Sequence, residues 1–410
     1  MINYIWGGMF LVAVFTAIIR LIFFQDIEVF GNLTKSIFDN AKLSVDICIT
    51  LVGILSFWLG VLKLIEETGI AQKISKKLYP LFSIIMKDIP ADSPAISTVV
   101  LNMAANFLGL DNAATPMGIR AMNELQKYNS KKDEASDSQI LFTVLNASSV
   151  TLIPVTIFMY RAQLGALRPT DVFIPILLAT SVSTMVGFLL VAFKQKIDLR
   201  NPILKKVMAY FILFIISTSL IFLSLNYENR LIVSSLIGNI CIILSIGSII
   251  FVAMKNKLKS YEIFIEGAKE GFNVAIKIIP YLVSMLIAIG VFRASGVLDI
   301  LLGWFTQICK ALGFEGLFIN ALPTAFMKPF SGSGARAMMI ETMNTYGADS
   351  FEGFLSSVIQ GSTETTFYVL TVYFGAVNIS KTRYTLKYGL LSDLAGILTA
   401  IVLAYLFYEK

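Results

Sequence analysis

The stretch Lys328-Pro329-Phe330-Ser331-Gly332-Ser333-Gly334-Ala335-Arg336 interrupts apolar sequence where a simple membrane helix would continue. Two glycines and two serines in residues 331–334 favour an unwound backbone whose N–H groups are free. The residues from 335 onward predict the start of a helix, which places those N–H groups at its positive end. Transporters form a midplane site for a polar solute from such a broken helix. The alternative is a glycine-rich turn between two packed helices.

The composition predicts a membrane protein. Of the 410 residues, 56% are hydrophobic and only 15% are charged, whereas a soluble protein carries about 25% charged residues. The uncharged runs 172–193, 207–227 and 231–254 are long enough to cross a bilayer, which takes about 20 residues. The N-terminal run 1–19 has no basic region and no small-residue cleavage site, so it predicts an uncleaved membrane helix.

The titratable side chains argue against catalysis. The chain has no histidine, so the commonest metal ligand and the commonest general base are both absent. Its three cysteines lie in apolar segments and are interpreted as small hydrophobic residues. We therefore expect no enzyme activity, no metal site and no cofactor. The net charge of +6 lies mainly in short loops, where it sets membrane topology and does not indicate nucleic acid binding.

A second polar interruption occurs in the first half of the chain. Residues 95–110 are uncharged but too short to span a membrane as a helix. Residues 109–116 then predict an unwound polar stretch, with Pro116 in the first turn of the next helix.

Two later apolar runs also contain polar interruptions. Residues 139–160 are uncharged, yet residues 146–149 and Pro154 predict a broken or re-entrant helix there. The run 353–380 is uncharged apart from Glu364. We expect both irregular segments to be buried in protein or to line a cavity.

Two basic loops flank a predicted two-helix hairpin. The first loop lies around Arg200 and the second around Lys257. Because basic loops face the cytoplasm, we predict that both lie on that side and that Asn229, between the two helices, lies on the other.

The chain carries an internal repeat. The aligned segments are 67–70 with 294–297, 112–114 with 333–335, and 146–151 with 360–365. The first unit ends at a predicted cytoplasmic loop and the second begins at one, so the two units are predicted to be inserted in opposite directions. Inverted repeats with paired broken helices are typical of alternating-access transporters.

The same breaks resemble those of known families. The segments Gly109-Leu110-Asp111-Asn112-Ala113-Ala114-Thr115-Pro116 and Asn146-Ala147-Ser148-Ser149 resemble the bacterial spore maturation A family. The segments Ser331-Gly332-Ser333-Gly334-Ala335-Arg336 and Gly361-Ser362-Thr363-Glu364-Thr365-Thr366-Phe367-Tyr368 resemble the spore maturation B family. The chain looks like a fusion of the two over residues 41–408. Both are nucleoside recognition, or Gate, families, related to concentrative nucleoside transporters and to the membrane part of the iron transporter FeoB.

The resemblance implies a multi-pass protein of the bacterial cytoplasmic membrane. We predict an all-α polytopic fold with two inverted Gate-type repeats that contain broken or re-entrant helices. The predicted divisions are an N-terminal helix and joint (1–40), an A-like repeat (41–200), a connecting hairpin (201–258) and a B-like repeat (259–410).

The breaks supply the candidate solute-binding residues. In the second repeat these are Ser331, Gly332, Ser333, Gly334, Arg336, Ser362, Thr363, Glu364 and Thr365. In the first repeat they are Asp111, Asn112, Asn146, Ser148 and Ser149.

Each candidate also has a structural interpretation. Glu364 is a carboxylate inside a membrane segment, which indicates function, but it can also be a hydrogen-bonding hub. Asp111 either binds solute or caps the following helix. Arg336 either pairs with Glu364 or holds an anionic solute. Lys328 can snorkel to the interface, and Asp393 is interpreted as a polar contact between helices. The serines and threonines can simply permit close helix packing.

Two functions remain open. The first is a transporter that moves a small polar solute, nucleoside-like or a small carboxylate, by alternating access with H⁺ or Na⁺ as a coupling ion. The second is a membrane scaffold or regulator of the spore maturation type that does not transport. The expected partners are the lipid bilayer, the solute and the coupling ion, with further copies of the chain as an additional candidate and no nucleic acid.

Overall fold

The computed structural model describes residues 2–90, 93–107, 111–148, 151–311 and 316–408. Within these ranges the chain forms α-helices and one short 3-10 helix, and its sole β-bridge joins Glu134 and Lys381. The predicted all-α fold is therefore confirmed.

The helices follow one another along the whole chain. The first ten are α1 (Ile2–Phe24), α2 (Val29–Thr68), α3 (Ile70–Ile85), α4 (Pro94–Phe107), α5 (Asp111–Tyr128), α6 (Asp137–Ser148), α7 (Val155–Gln163), α8 (Phe173–Lys194), α9 (Pro202–Leu223) and α10 (Tyr227–Lys255). The others are α11 (Ser260–Ala294), α12 (Val297–Ala311), the 3-10 helix (Leu317–Ala321), α13 (Leu322–Met327), α14 (Gly332–Tyr346), α15 (Phe351–Ser362), α16 (Thr366–Ala376) and α17 (Thr385–Phe407).

Several helices are long and apolar enough to cross a membrane. In the described part of the chain they are α8, α9, α10, α17 and the segment Trp6–Phe24 of α1, and two bent helix pairs bring the number to as many as seven. Polar backbone groups are satisfied inside each helix, which is why helices suit the bilayer. The protein is a multi-pass membrane protein.

The two halves contain the same series of elements. A long helix (α2 or α11) is followed by a helix across a glycine in the left-handed region, Gly69 with φ 69° and Gly296 with φ 85°. A helical hairpin follows (α4 and α5, or α13 and α14), then a broken helix (α6 and α7, or α15 and α16) and a span (α8 or α17). The order supports the repeat that the sequence predicts.

Corresponding helices of the two repeats pack on each other. The most extensive helix pairs are α2 with α11 and α8 with α17. The first pair approaches closely because side chains are absent at Gly267 and Gly271, where an added Cβ would lie 2.5 Å from the oxygen of Leu59 and 2.4 Å from the Cα of Ser56. Small residues of this kind bring membrane helices into contact. The core therefore lies between the two repeats.

A cluster of exposed ion pairs, here called the surface clasp, joins loops of the two repeats. Lys381 lies 2.8 Å from Asp133, and Arg383 lies 2.8 Å from Asp137 and 3.7 Å from Glu134. The amide of Ala135 also donates to the carbonyl oxygen of Lys381 at 3.0 Å. The loop before α6 is thus fixed to the loop after α16.

A second cluster, here called the buried clasp, joins the loop after α7 to the loop after α14. The side chain of Arg161 is 0% exposed and lies 2.9 Å from Asp171 and 3.5 Å from Asp349. It also donates to the carbonyl oxygen of Ala348 at 2.9 Å. The two clasps join equivalent pairs of loops, because each links the loop before one broken helix to the loop after the other.

Two local predictions are wrong. Helix α14 begins at Gly332 and not at residue 335, because the side chain of Ser331 accepts a hydrogen bond from the amide of Gly334 and caps the helix earlier. Helix α5 begins at Asp111 with Pro116 inside it, so residues 111–116 of the predicted stretch 109–116 are not unwound, and residues 109 and 110 lie outside the described residues.

Candidate functional site

The break between α13 and α14 is short. Residues 328–331 connect the two helices, and Ser331 caps α14 through its 3.0 Å bond from the amide of Gly334. The amides of Gly332 and Ser333 lie in the first helical turn, where no intrahelical acceptor exists, and neither donates to another described group. They give this helix end a local positive potential.

The break between α15 and α16 lies next to it. Thr363 and Thr365 have extended backbone, and the peptides around them bond to other segments. The amide of Glu364 donates to the carbonyl oxygen of Ala147 in α6 at 2.8 Å, and the amide of Phe367 donates to that of Pro329 at 3.0 Å. The three breaks therefore meet in one place.

The first broken helix makes a comparable contact. The amide of Leu152, between α6 and α7, donates to the carbonyl oxygen of Phe107 at the end of α4 at 3.0 Å. In both repeats the broken helix is thus bonded through its backbone to the neighbouring hairpin.

A small polar cavity of about 100 Å³ lies where the breaks meet. Its wall includes residues of both repeats, and its polar members are Thr151, Thr156, Lys328, Arg336, Gln360, Thr363 and Glu364. A volume of this order holds a few water molecules or one polar group of a solute.

A larger cavity of about 810 Å³ adjoins it. Its wall includes the aromatic residues Trp6, Phe330, Phe367 and Tyr368, and the rings of Phe330 and Phe367 are stacked with centroids 5.2 Å apart. Pockets of about 300–1,000 Å³ accommodate ligands of drug size. The larger cavity is mainly apolar and the smaller one mainly polar.

Arg336, Glu364 and Gly332 border both cavities. Glu364 is exposed, and Arg336 is partly buried with its guanidinium 5.8 Å from the ring centroid of Tyr160. Within the described residues, Arg336 and Glu364 form no ion pair at 4.0 Å or less. Of the two alternatives for Arg336, pairing with Glu364 is therefore not the one observed, and both charges border the cavities.

Lys328 is buried. It is 3% exposed, and its Nζ donates to the carbonyl oxygen of Gln360 at 2.7 Å. Snorkelling to the interface is therefore excluded. The ammonium stabilises the carbonyl end of α15, where the helix dipole is negative.

Asn146 belongs to a polar network outside the cavities. Its Oδ1 accepts from Asn106 at 2.6 Å and from the hydroxyl of Tyr373 at 3.0 Å, and its Nδ2 donates to the oxygen of Phe142 at 2.9 Å. The network joins α4, α6 and α16. Asn146 is thus a packing hub of the first break in this structure.

The remaining predicted residues divide into three groups. Ser331, Ser333 and Thr365 line the larger cavity and Thr363 lines the smaller one. Ser148, Ser362 and Gly334 are buried in helix contacts and border neither cavity. Ser149 and the side chains of Asp111 and Asn112 lie outside the described residues.

The sequence did not identify several cavity residues. Gln360 and Thr151 lie in segments that aligned in the repeat, so the repeat could have indicated them. Trp6 and Ser284 come from apolar helices and carry no local signal, whereas Tyr368 ends the segment that resembles the spore maturation B family.

The family model described as nucleoside recognition, named Gate, matches the chain twice, at residues 48–163 and 275–380. These two segments together make up more than half of the chain. The chain belongs to the Gate nucleoside recognition family. The first match includes α4 to α7, and the second includes the hairpin and the broken helix that form the cavities.

This Gate protein is similar to two separate proteins of Bacillus subtilis (strain 168). It is 46% identical to spore maturation protein B over 163 residues, which are 40% of this chain and 90% of that protein. It is 38% identical to spore maturation protein A over 183 residues, 45% of this chain and 90% of that protein. The chain is therefore consistent with a fusion of an A-like and a B-like part.

Proposed function

We propose that this Gate protein is a secondary transporter of a small polar organic solute. The observation that carries the proposal is the meeting of helix breaks from both repeats, through the bond from Glu364 to Ala147, beside two cavities that contain Arg336 and Glu364. Broken helices at corresponding positions of a repeat are the usual place of a transporter binding site.

The two cavities support a solute with an aromatic or apolar part and a polar part. The stacked rings of Phe330 and Phe367 offer a planar apolar surface. The guanidinium of Arg336 and the amides of Gly332 and Ser333 offer donors to an anionic or carbonyl oxygen. Glu364 offers an acceptor to hydroxyl or amino groups. Nucleoside-like compounds and small carboxylates fit this set, with H⁺ or Na⁺ as a coupling ion.

The proposed membrane is the bacterial cytoplasmic membrane. The relatives are bacterial proteins. If each unit crosses the membrane an odd number of times, the first unit ends on the side opposite to the one where it began. A two-helix hairpin returns the chain to that same side, so the second unit then begins there and runs in the opposite direction. The hairpin α9 and α10 supplies that connection, and alternating access then follows from movement of one unit against the other.

A non-transporting scaffold or regulator is the second candidate. Its support is the presence of both clasps in one structure, because Arg161 and Lys381 hold the repeats together at two separate pairs of loops. Alternating access needs at least one of these connections to open. We propose no enzyme activity for either candidate, since the sequence has no histidine.

A solute screen on the purified chain tests the proposal. Thermal unfolding is measured with nucleosides, amino acids and dicarboxylates, and compounds that raise Tm are then tested for uptake into proteoliposomes. We expect a stabilising compound to be accumulated or exchanged. Stabilisation without uptake supports the regulator, and no response to any compound contradicts a solute site.

A further inference from the structure

Asp393 is a buried carboxylate that the solute site does not include. It lies in the middle of the apolar span α17 and is 1% exposed. Neither of its two oxygens has a hydrogen-bond partner among the described residues. An ionised carboxylate at this depth is strongly unfavourable unless a positive charge or a proton compensates it.

The helix face around Asp393 contacts the break between α15 and α16. Gly389 and Gly396 lie four residues before and three residues after it, so the three share one face of α17. A Cβ at Gly389 would lie 2.8 Å from Cγ2 of Thr366, and a Cβ at Gly396 would lie 2.8 Å from Cγ2 of Thr363. The two glycines therefore bring the threonines of the break against the carboxylate.

The threonine hydroxyls are themselves buried without partners. Thr363 is 3% exposed and Thr366 is 0% exposed. Both lie beside Asp393, yet neither hydroxyl has the distance and alignment of a hydrogen bond to it or to another described group. Buried polar atoms that lack partners are uncommon and indicate a bound water or ion.

We propose that Asp393, Thr363 and Thr366 bind a monovalent cation of the Na⁺ type. Carboxylate, hydroxyl and carbonyl oxygens are ligands for hard cations, and the carbonyl end of a half-helix is where transporters place Na⁺. A single proton turns one carboxylate oxygen into one O–H donor, which can satisfy the oxygen of at most one of the two threonines. One cation satisfies all three groups together.

Charged side chains of both signs lie near the proposed cation site. The charged side chains that act on Asp393 are Lys328 and Glu364. Lys328 already donates to the carbonyl oxygen of Gln360. A role in coupling rests on the proposed transport, whereas cation binding by Asp393 does not.

Thermal unfolding of the full chain without solute tests the site. Tm is measured in NaCl, KCl and choline chloride at equal ionic strength. We expect NaCl to raise Tm by a few degrees over choline chloride in a saturable manner, because a ligand of the folded state stabilises it. Asp393→Asn should abolish this difference and Thr366→Val should shift it to higher NaCl concentration. Asp46→Asn changes an exposed carboxylate in α2 and should leave the difference unchanged.

Three other outcomes overturn the cation site, and a fourth bears on the proposed transport alone. Equal Tm in the three salts contradicts a cation site directly in the unmodified protein, whether or not the Asp393 variant folds. A Na⁺ response that survives in Asp393→Asn, or that needs no more NaCl in Thr366→Val than in the unmodified protein, places the cation elsewhere. A response to pH but not to Na⁺ identifies a proton instead. A Na⁺ response in a protein that no solute stabilises keeps the cation site and rejects the proposed transport.

Discussion

The backbone amide of Glu364 donates a 2.8 Å hydrogen bond to the carbonyl oxygen of Ala147. The donor follows the end of α15 in the second repeat, and the acceptor lies in the last turn of α6 in the first. Carbonyl groups in the last turn of a helix receive no hydrogen bond from within that helix. The amide in the break of the second repeat therefore supplies the missing donor for a carbonyl in the first repeat. The backbone makes this connection, and the carboxylate of Glu364 borders the cavities.

Glu364→Gln and Arg336→Lys should each reduce solute-dependent stabilisation without unfolding the protein. The amide keeps the size of the carboxylate but loses its charge, and an ammonium cannot reproduce the planar fork of the guanidinium. Because the two groups form no ion pair, the double variant Glu364→Gln, Arg336→Gln should not recover activity. Glu266→Gln and Arg200→Lys alter exposed residues and are the matched controls. Recovery in the double variant would show that the two residues act only as a pair.

Gly332→Leu should impair the response to solute, whereas Gly334→Leu should lower the stability of the fold. Gly332 borders both cavities, and its added Cβ would meet Oγ1 of Thr365 at 2.8 Å. Solute response should be lost while the Tm without solute changes little. A Cβ at Gly334 would meet Cε of Met327 at 2.5 Å and that of Met285 at 3.0 Å. Overpacking of this kind costs about 1–3 kcal/mol, so Tm should fall. Equal loss of folded protein in both variants would support a packing turn.

The positions of the breaks could be predicted from the sequence because polar residues in apolar runs are conspicuous. Residues 146–149, 331–334 and Glu364 indicated the breaks, and the structure shows interrupted helices there. Hydrophobic length likewise predicted α8, α9 and α10. These signals are local, so one sequence is sufficient to read them.

The partners of each polar residue could not be predicted, because they depend on helices far apart in the chain. Asn146 looked like a ligand but bonds to Asn106 and Tyr373. For Lys328 the sequence allowed snorkelling to the interface as an alternative, but the side chain is buried and bonded to Gln360. The sequence indicated that Asp393 is a polar contact between helices. The structure shows that the small residues Gly389 and Gly396 bring the break between α15 and α16 close to it.

Cysteine labelling should confirm opposite insertion of the two repeats. Single cysteines at Arg200 and Lys257, in the basic loops on either side of the hairpin, should react with an impermeant reagent from the cytoplasmic side. A cysteine at Asn229, in the first turn of α10, should react from the other side. Labelling of all three from one side would contradict the inverted arrangement.

The two clasps should differ in their contribution to stability. Arg161 is 0% exposed, so Arg161→Met leaves Asp171 buried without its partner and should cost about 3–5 kcal/mol. Lys381 and Asp133 are 65% and 59% exposed, and exposed pairs contribute little to stability because water screens them. Lys381→Met should therefore change the Tm of the purified protein little. A similar fall in Tm for both variants would show that the surface clasp is also part of the stable core.

The clasps should also differ in their dependence on pH. Burial raises the pKa of Asp171 to about 6, although Arg161 acts in the opposite direction. An unfolded Asp titrates near pH 3.9, so between about pH 4 and pH 6 the folded state retains a proton that the unfolded state has lost. The free energy of unfolding therefore decreases as the pH rises through this window and is constant with respect to this group above it.

Asp133 behaves differently, because its hydrogen bond from Lys381 lowers its pKa below the usual range. Its contribution is complete above about pH 4 and is lost only as the pH falls further. Across pH 4–6, Asp171→Asn should therefore remove part of the decrease in Tm that the unmodified protein shows, on the order of 1–3 kcal/mol when converted to free energy. Asp133→Asn should leave the slope unchanged. An unchanged slope in Asp171→Asn would mean that Arg161 keeps the carboxylate ionised throughout, and the buried clasp would then be insensitive to pH.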